Sequence, residues 1–539
     1  MKVRKRKQND FCRTEKQDFR KNKYMRVVKF GCIVILAVLI SSIFIANLHV
    51  AGAINQENVN SSSIDIEQAV SSSYPMKSNP EKARVAEHRI TAVELEELKS
   101  KAGVYVEGQN YNQLINGHGT GVRPPTEDEW ARIAESAYLV DNVAYSSSPP
   151  SVDQSATPWF PPIGNQDGEG SCVAFAVGYY TKTFQEAKEH AWDLSGAAWE
   201  GGYYGYPTQS YQNRIISPDF IYHLVNYGID DGSSYYNAIR LVCFVGASSW
   251  EKMPYDPLDY TTWPSEEAWT EAPLYRGNSS GFQYMYINTD AGLANLKNWI
   301  AAENLAIIHI DANKYSGLTS EDLWTTDNYV DPSENHANTV VGYDDNMAYT
   351  EGGETHYGAF KVANSWGIGG WENVDDGFYW ISYEAMKQQV FEYCMFYYDM
   401  IGYKPELAAA FRISHDKRSE CQIKIGIGNP AASIASKTFS DYIHGGSVPF
   451  CQNNVLFDIT ELKDEVSSVY NQQYFLEVYD GGTSTTGTIH KFAVEYADSS
   501  DAPRQTEDWD DVYLNVTLPP LETTWTDELL VNSDQDSLD

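Results

Sequence analysis

Between Cys421 and Ile427 the chain reads "CQIKIGI", with Cys421, Ile423, Ile425 and Ile427 on one side. A period of two fits a strand with one buried and one open face, and no helix can satisfy it. "NVLFDI", "YFLEVYD" and "KFAVEYA" follow, separated by Gly, Ser and Asn turns. Short strands with turn signals between them predict an all-β sandwich, assigned to 404–498, with an acidic tail over 499–539.

Upstream the pattern is mixed. "SPDFIYHLVNYG" begins with Ser217 as cap and Pro218 at the first helical position and stops at Gly228, which predicts a helix. "NLAIIHI", "NTVVGYD" and "GAFKVAN" read as strands. Helices come early and strands late, so 151–403 is expected to be an α+β domain with two unlike halves. A length of 539 residues accommodates both regions and their appendages.

The appendages lie mainly at the N-terminus. Residues 1–29 carry net charge +9 against a total of −35, which leaves −44 for the rest. Such a body repels nucleic acid. "FGCIVILAVLISSIFIA", Phe30–Ala46, has no charge and follows a basic segment. It reads as an export signal ending near Ala53 or as a retained membrane anchor through 30–46, placing the body outside the cell or on its surface. Residues 54–150 are a Ser/Asn-rich linker followed by two short helices. Thr91 with Glu94, and Thr126 with Glu129, form capping-box patterns, and Gly103 stops the first helix. "NGHGTGVRPP" between them reads as loop. "SSSPPSVD" at 146–153 marks the boundary with the next domain.

Five cysteines follow the apolar segment: Cys172, Cys243, Cys394, Cys421 and Cys451. An odd number in an oxidising compartment points to a free thiol. Cys172 lies where a turn with Gly168 and Gly170 runs into an amphipathic helix. A helix N-terminus favours the thiolate, the nucleophilic form. Gln166 is an amide that a tight turn can fold back beside the sulfur. Among eleven histidines, His309 and His223 read as core, whereas His336 in "SENHANTVVGYDD" stands at the mouth of a strand. Asn364 in "KVANSWGIGGW" can hold an imidazole, with Trp366 shielding the contact. Cys421 and Cys451, in one sandwich, are a candidate disulfide; Cys243 and Cys394 read as buried thiols. Sequons stand at Asn60, Asn278 and Asn515. No metal, nucleotide or redox motif appears, so no cofactor is implied.

"NQDGEGSCVAFA", "NHANTVVGYD" and "NSWGIGGW" followed by "GFYWIS" resemble, in order, the papain family of cysteine peptidases. The stretch from "SPDFIYHLVNYG" to "MPYDP" is similar to that family's left-lobe helices and cleft loop. The resemblance implies a two-lobed domain, with a helical left lobe and a β-barrel-like right lobe. It also implies an exported endopeptidase acting on proteins or peptides through an acyl-thioester. By the same resemblance Cys172 is the nucleophile, His336 the acid/base, Asn364 the orienting residue and Gln166 an oxyanion donor, while Gly232 and Trp366 bind substrate. Three features depart from the family. Val173 replaces its Trp, the cysteine preceding the nucleophile is missing, and a long insertion separates His336 from Asn364. The alternative is a papain-fold surface adhesin with a silent site. The sandwich is expected to bind carbohydrate or another cell-surface ligand, or to serve as a stalk. Residues 54–150 read either as a propeptide released by cleavage between about Val143 and Ser151 or as a permanent extension.

Overall fold

The computed structural model describes residues 83–496, apart from 147, 203, 370, 372–373 and 469–471, and three strands at Tyr513–Leu518, Thr523–Trp525 and Leu529–Leu530. All of these belong to one unit, Tyr74–Asp539. The two capping boxes form as the sequence implies. Thr91 and Glu94 open the helix Ala92–Ala102, which ends at Gly103, and Thr126 and Glu129 open Glu127–Ser136.

A ten-stranded sheet organises the chain. Its order runs Ala83–Arg89, Tyr138–Tyr145, Gln283–Tyr286, Tyr393–Phe396, Ala306–Ile310, His336–Glu351, Glu354–Ala363, Phe378–Ser382 and Leu323–Trp324, with Ser151–Asp153 also paired to His336–Glu351. The run Ala306–Ile310 is buried throughout because both of its faces are covered. Ile307, with Ala337 and Met395, shares a core with the helices around Cys172. Ala306, Ile308 and Ile310 share another with Leu296, Trp299 and Ile300 of the helix Asp290–Ala301. The insertion after His336 is a β-hairpin extension that turns at Gly352 and Gly353, both at positive φ.

This architecture corrects the expected two-lobed fold. Among the described residues no sheet closes, so there is no β-barrel-like lobe. The edge strand Gln283–Tyr286 is taken up by Tyr138–Tyr145, which pairs parallel to it and carries Ala83–Arg89 beyond. The sheet therefore lengthens as an open, mixed sheet, and the helices are short and dispersed around it.

The C-terminal strands form two further sheets. One contains Leu407–Ser414 between Val455–Asp458 and Gly487–Tyr496; the other contains Cys421–Asn429 between Ala432–Thr438 and Gln473–Asp480. Phe411, Ile423, Ile425, Phe457, Leu476 and Ile489 belong to one shared core. The three strands after residue 512 extend these sheets, so the region read as tail contributes structure. Arg276 ties this body to the larger sheet region, reaching Asp458 at 2.7 Å and Glu461 at 2.6 Å. Arg418 lies over Trp263 at 4.2 Å and donates to the Thr261 carbonyl.

Two more expectations are corrected. Cys421 and Cys451 are free thiols, because register sets Cys421 opposite Asp480 and the Cys451 Sγ lies 3.8 Å from the Asn453 carbonyl. No described helix is long and apolar enough to cross a membrane, so the membrane anchor and the cell-surface attachment drawn from it are not carried forward. Segment 30–46, on which they rested, lies outside the described residues. The Asn278 sequon is buried, with its Oδ1 accepting from the Ser280 amide.

Candidate active site

Cys172 is the first residue of a helical run that continues through a wider turn, Phe175–Lys182, to Glu189. Its thiol is fully buried, within hydrogen-bonding reach of the backbone amides of Val173 and Ala337. Ala337 directly follows His336, so the thiol lies beside the strand that the histidine opens.

Strand pairing brings His336 and Asn364 together. Ala363 is opposite Thr339, and Asn364 is the next residue. Asn364 Oδ1 accepts from the Ser365 amide at 2.8 Å and Asn338 Nδ2 at 3.0 Å, which identifies it as the amide oxygen. His336 Nε2 is 2.8 Å from that oxygen and must carry the proton. Asn338 is held in turn by the hydroxyls of Tyr315, at 2.6 Å, and Tyr379, at 2.9 Å. The Trp366 ring lies 4.9 Å from His336 and covers the contact. His336 Nδ1 is thereby left as the basic nitrogen, buried and without a partner. No hydrogen bond joins it to Cys172 Sγ among the described residues. Burial pulls the imidazole down to about 3 and pushes the thiol up to about 12. Both are neutral in this state.

Gln166 lies in the same cluster. Its Oε1 accepts from Ser365 Oγ at 2.6 Å, and its Nε2 donates to the Glu169 carbonyl at 2.8 Å and reaches the Thr120 carbonyl at 3.4 Å.

Thr120 belongs to the loop "NGHGTGVRPP", which lies across this site. The Gly119 amide donates to the Asp167 carbonyl at 2.7 Å, and Trp366 Nε1 donates to the Gly119 carbonyl at 3.0 Å. The amides of Gly121 and Val122 donate to the Asn335 carbonyl on one side. On the other, the Ser233 amide donates to the Gly121 carbonyl at 2.9 Å and the Arg123 amide to the Ser233 carbonyl at 3.0 Å. A Cβ on Gly232 would stand 2.2 Å from the Gly121 carbonyl oxygen, so Gly232 is needed for this close approach. His118 stacks on Trp366 at 4.9 Å, and burial lowers its pKa.

Sequence reasoning missed His118, Ser233, Asn335 and Asn338. A signal for the loop was present: Gly117, Gly119 and Gly121 recur at every second residue, and glycine is the residue that lets backbones meet. A Cβ at Gly119 or Gly121 would lie 2.2 Å from the carbonyl oxygen of Glu169 or Gly170 respectively.

The sequence matches no protein-family model and no curated protein. Among solved structures the chain is similar to xylellain, a cysteine protease from Xylella fastidiosa, at 17% identity and TM-score 0.35, over 56% of this chain and 99% of that one. It is also similar to digestive procathepsin L2 proteinase from Tenebrio molitor larval midgut, at 20% identity and TM-score 0.35, over 47% and 69% of the two chains. A third likeness is to the Carica candamarcensis cysteine protease CMS1MS2, at 17% identity and TM-score 0.32, over 46% and 98%. These likenesses are distant and partial. At TM-scores of 0.32 to 0.35 they assign this chain no family and no activity.

Proposed function

We propose that this chain is a cysteine peptidase, latent in the form described, with Cys172 as nucleophile and the 118–123 loop as its cover. The supporting observation is the main-chain clamp. Ser233 and Asn335 hold the loop by its backbone beside the turn at 168–170 that precedes Cys172, and backbone contacts of that kind accept a peptide whatever its side chains.

With the cover displaced, Cys172 Sγ attacks the peptide carbonyl carbon, and its proton passes to His336 Nδ1. The carbonyl oxygen takes up negative charge and is met by Gln166 Nε2 and the Cys172 amide. The C–N bond then breaks, His336 gives the proton to the leaving amine, and water hydrolyses the thioester. Asn364 holds the ring in the productive tautomer throughout. Gly232 and Trp366 line the groove now filled by the loop.

Residues 83–145 contribute two strands to the sheet, so cutting the 146–150 link leaves them paired in place. Opening on this reading is a displacement of the loop, with or without that cut. The test is alkylation by a thiol-directed epoxide, with the adduct mapped, and N-terminal sequencing of the labelled species. A mapped Cys172 adduct with peptide hydrolysis, both lost in Cys172→Ala, is expected. A chain that binds peptides yet never hydrolyses them after opening would instead be the silent binding protein.

A further inference from the structure

Three residues before Cys172, Glu169 places a carboxylate wholly out of solvent. Neither of its oxygens has a hydrogen-bond partner. The hydroxyls of Tyr255 and Ser171 stand nearest to it and favour its charged form. Tyr255 donates to the Gln166 carbonyl at 2.9 Å, and Ser171 lies 2.8 Å from the Tyr255 oxygen, which is left to accept.

Glu169 faces the helix Pro218–Val225, on which Asp219 and His223 stand four residues apart on one side. Asp219 Oδ2 accepts from the Asp256 amide at 2.8 Å, but its Oδ1 is unpartnered. His223 Nδ1 is 2.6 Å from the Thr262 carbonyl, which can only accept, so the proton is on Nδ1. Nε2 therefore turns inward, makes no hydrogen bond, and stands 3.4 Å from Asp219 Oδ1. Asp219 and His223 are 1% and 2% exposed. Four atoms outside the hydrogen-bond network, on three buried side chains, thus converge, with His223 Nε2 and Asp219 Oδ1 placed to pair when the ring is protonated, and one atom from each residue lies within 4.8 Å of the others.

A protonated His223 balances Asp219, which leaves the Glu169 carboxylate sealed from water without a counter-charge of its own, and that is costly. Burial, with the charges of Asp219 and Asp230 nearby, pushes the Glu169 carboxyl well above the usual range.

We propose that Glu169, Asp219 and His223 bind one zinc ion, a structural clamp between the turn that delivers Cys172 and the helix Pro218–Val225. The donor set fits. Zinc takes imidazole nitrogen and carboxylate oxygen at about 2.0–2.2 Å, whereas calcium and magnesium prefer all-oxygen shells. A tetrahedral shell of that size has ligand atoms roughly 3.4 Å apart, a contraction that the torsions of Glu169 can supply. The Nδ1–H to carbonyl bond of His223 is the usual support for a metal-bound imidazole and fixes the coordinating nitrogen. Two negative charges cancel the ion's own. The clamp takes no part in peptide hydrolysis and does not depend on the peptidase reading.

The test uses the full chain with Cys172→Ala, which removes the nucleophile as a competing zinc ligand. The protein is stripped with a chelator, given equimolar zinc and passed through gel filtration. One zinc per chain is expected, with a melting temperature a few degrees above the stripped form. X-ray absorption at the zinc edge is expected to show nitrogen and oxygen neighbours without sulfur. Asp219→Asn with His223→Gln should lose the zinc. Failure to retain zinc, sulfur in its shell, or retention in the double variant would each overturn the proposal; the first would mean that Glu169 is neutralised by a proton. If the double variant does not fold, the single variant His223→Gln takes its place, and zinc retained by it overturns the proposal.

Discussion

The cover over Cys172 can be tested with one methyl group. Gly121 has φ +121°, and a Cβ there would stand 2.2 Å from the Gly170 carbonyl oxygen and 2.7 Å from its carbon. Those are backbone atoms of the turn before Cys172, and Gly170 is itself fixed by its amide, which donates to Asp230 Oδ1 at 2.8 Å. Gly121→Ala must therefore push the loop outward. Three hydrogen bonds go with it: Gly121 and Val122 to Asn335, at 3.1 and 3.2 Å, and Ser233 to Gly121, at 2.9 Å. At about 1 kcal/mol net for each, the closed state loses about 3 kcal/mol, roughly a hundredfold in the opening equilibrium. The assay is the second-order rate of epoxide alkylation at Cys172, mapped by mass spectrometry, beside the melting temperature. The control is Gly117→Ala, also at positive φ (+90°) but with nothing within 4 Å of the added carbon. The variant should label about a hundredfold faster than wild type, and the control should change little. Equal rates in wild type and Gly121→Ala would refute the cover. Equal acceleration in both variants would show that any strain in the loop suffices and that the contact with Gly170 is not what holds it.

Four further outcomes are expected. Cys172→Ala should abolish peptide hydrolysis while leaving the circular dichroism spectrum unchanged; surviving activity would remove the nucleophile assignment. Gln166→Ala should reduce turnover of the opened enzyme roughly 10²-fold, as loss of one oxyanion donor does, and an unchanged turnover would place that oxygen elsewhere. Acidification should weaken the covered state: burial lowers His118 and takes His336 to about 3, below the usual 6.5 of an exposed ring, so stability present above about pH 6.5 is lost as pH falls, for His336 down toward 3. His118→Phe keeps the stack on Trp366 without the titration, so its melting temperature should fall less between pH 7 and pH 5, and an identical fall would contradict this. Arg276→Ala strands the buried Asp458 carboxylate and should cost about 3–5 kcal/mol in denaturant unfolding, whereas a loss below about 1 kcal/mol would mean that the network around Lys437 already neutralises it.

What could be read from the sequence depended on whether the signal was local. Thr91, Glu94 and Gly103 act within a dozen residues of one another, and the helix they bound forms where the text puts it. "CQIKIGI" carries its burial pattern in its own period, and all four inward positions are buried. His336 and Asn364 were nominated as partners from the motifs around them and the papain resemblance, and the register of neighbouring strands supplies the contact. Long-range choices were not legible. Whether the sheet closes was decided at Gln283–Tyr286 by strands drawn from 83–145, a region whose text announces only two helices and loops. The Cys421–Cys451 pairing failed for a similar reason, since alternation gives the face of a residue but not its partner on another element. His223 was read as core and is buried, yet one sequence cannot show that Glu169 arrives beside it from another segment.

A thiol at about 12 and an imidazole at about 3 are about nine units apart. Burial of both groups therefore disfavours moving the proton from Cys172 to His336 in the covered state. The sulfur is accordingly a thiol in the described state, the form that is not nucleophilic. Burial is the first cause on both residues, and burial is what the 118–123 loop helps to impose. Displacing the loop returns water to both groups and relaxes both shifts in the direction that narrows the gap. The Asn364 bond then acts in the same sense, because it favours the charged ring and is already formed at 2.8 Å. The helix that begins at Cys172 adds its positive end to the thiolate. On the proposed reading covering and activation are one equilibrium: the loop silences Cys172 and His336 by excluding water, without having to displace the Asn364 that holds the ring.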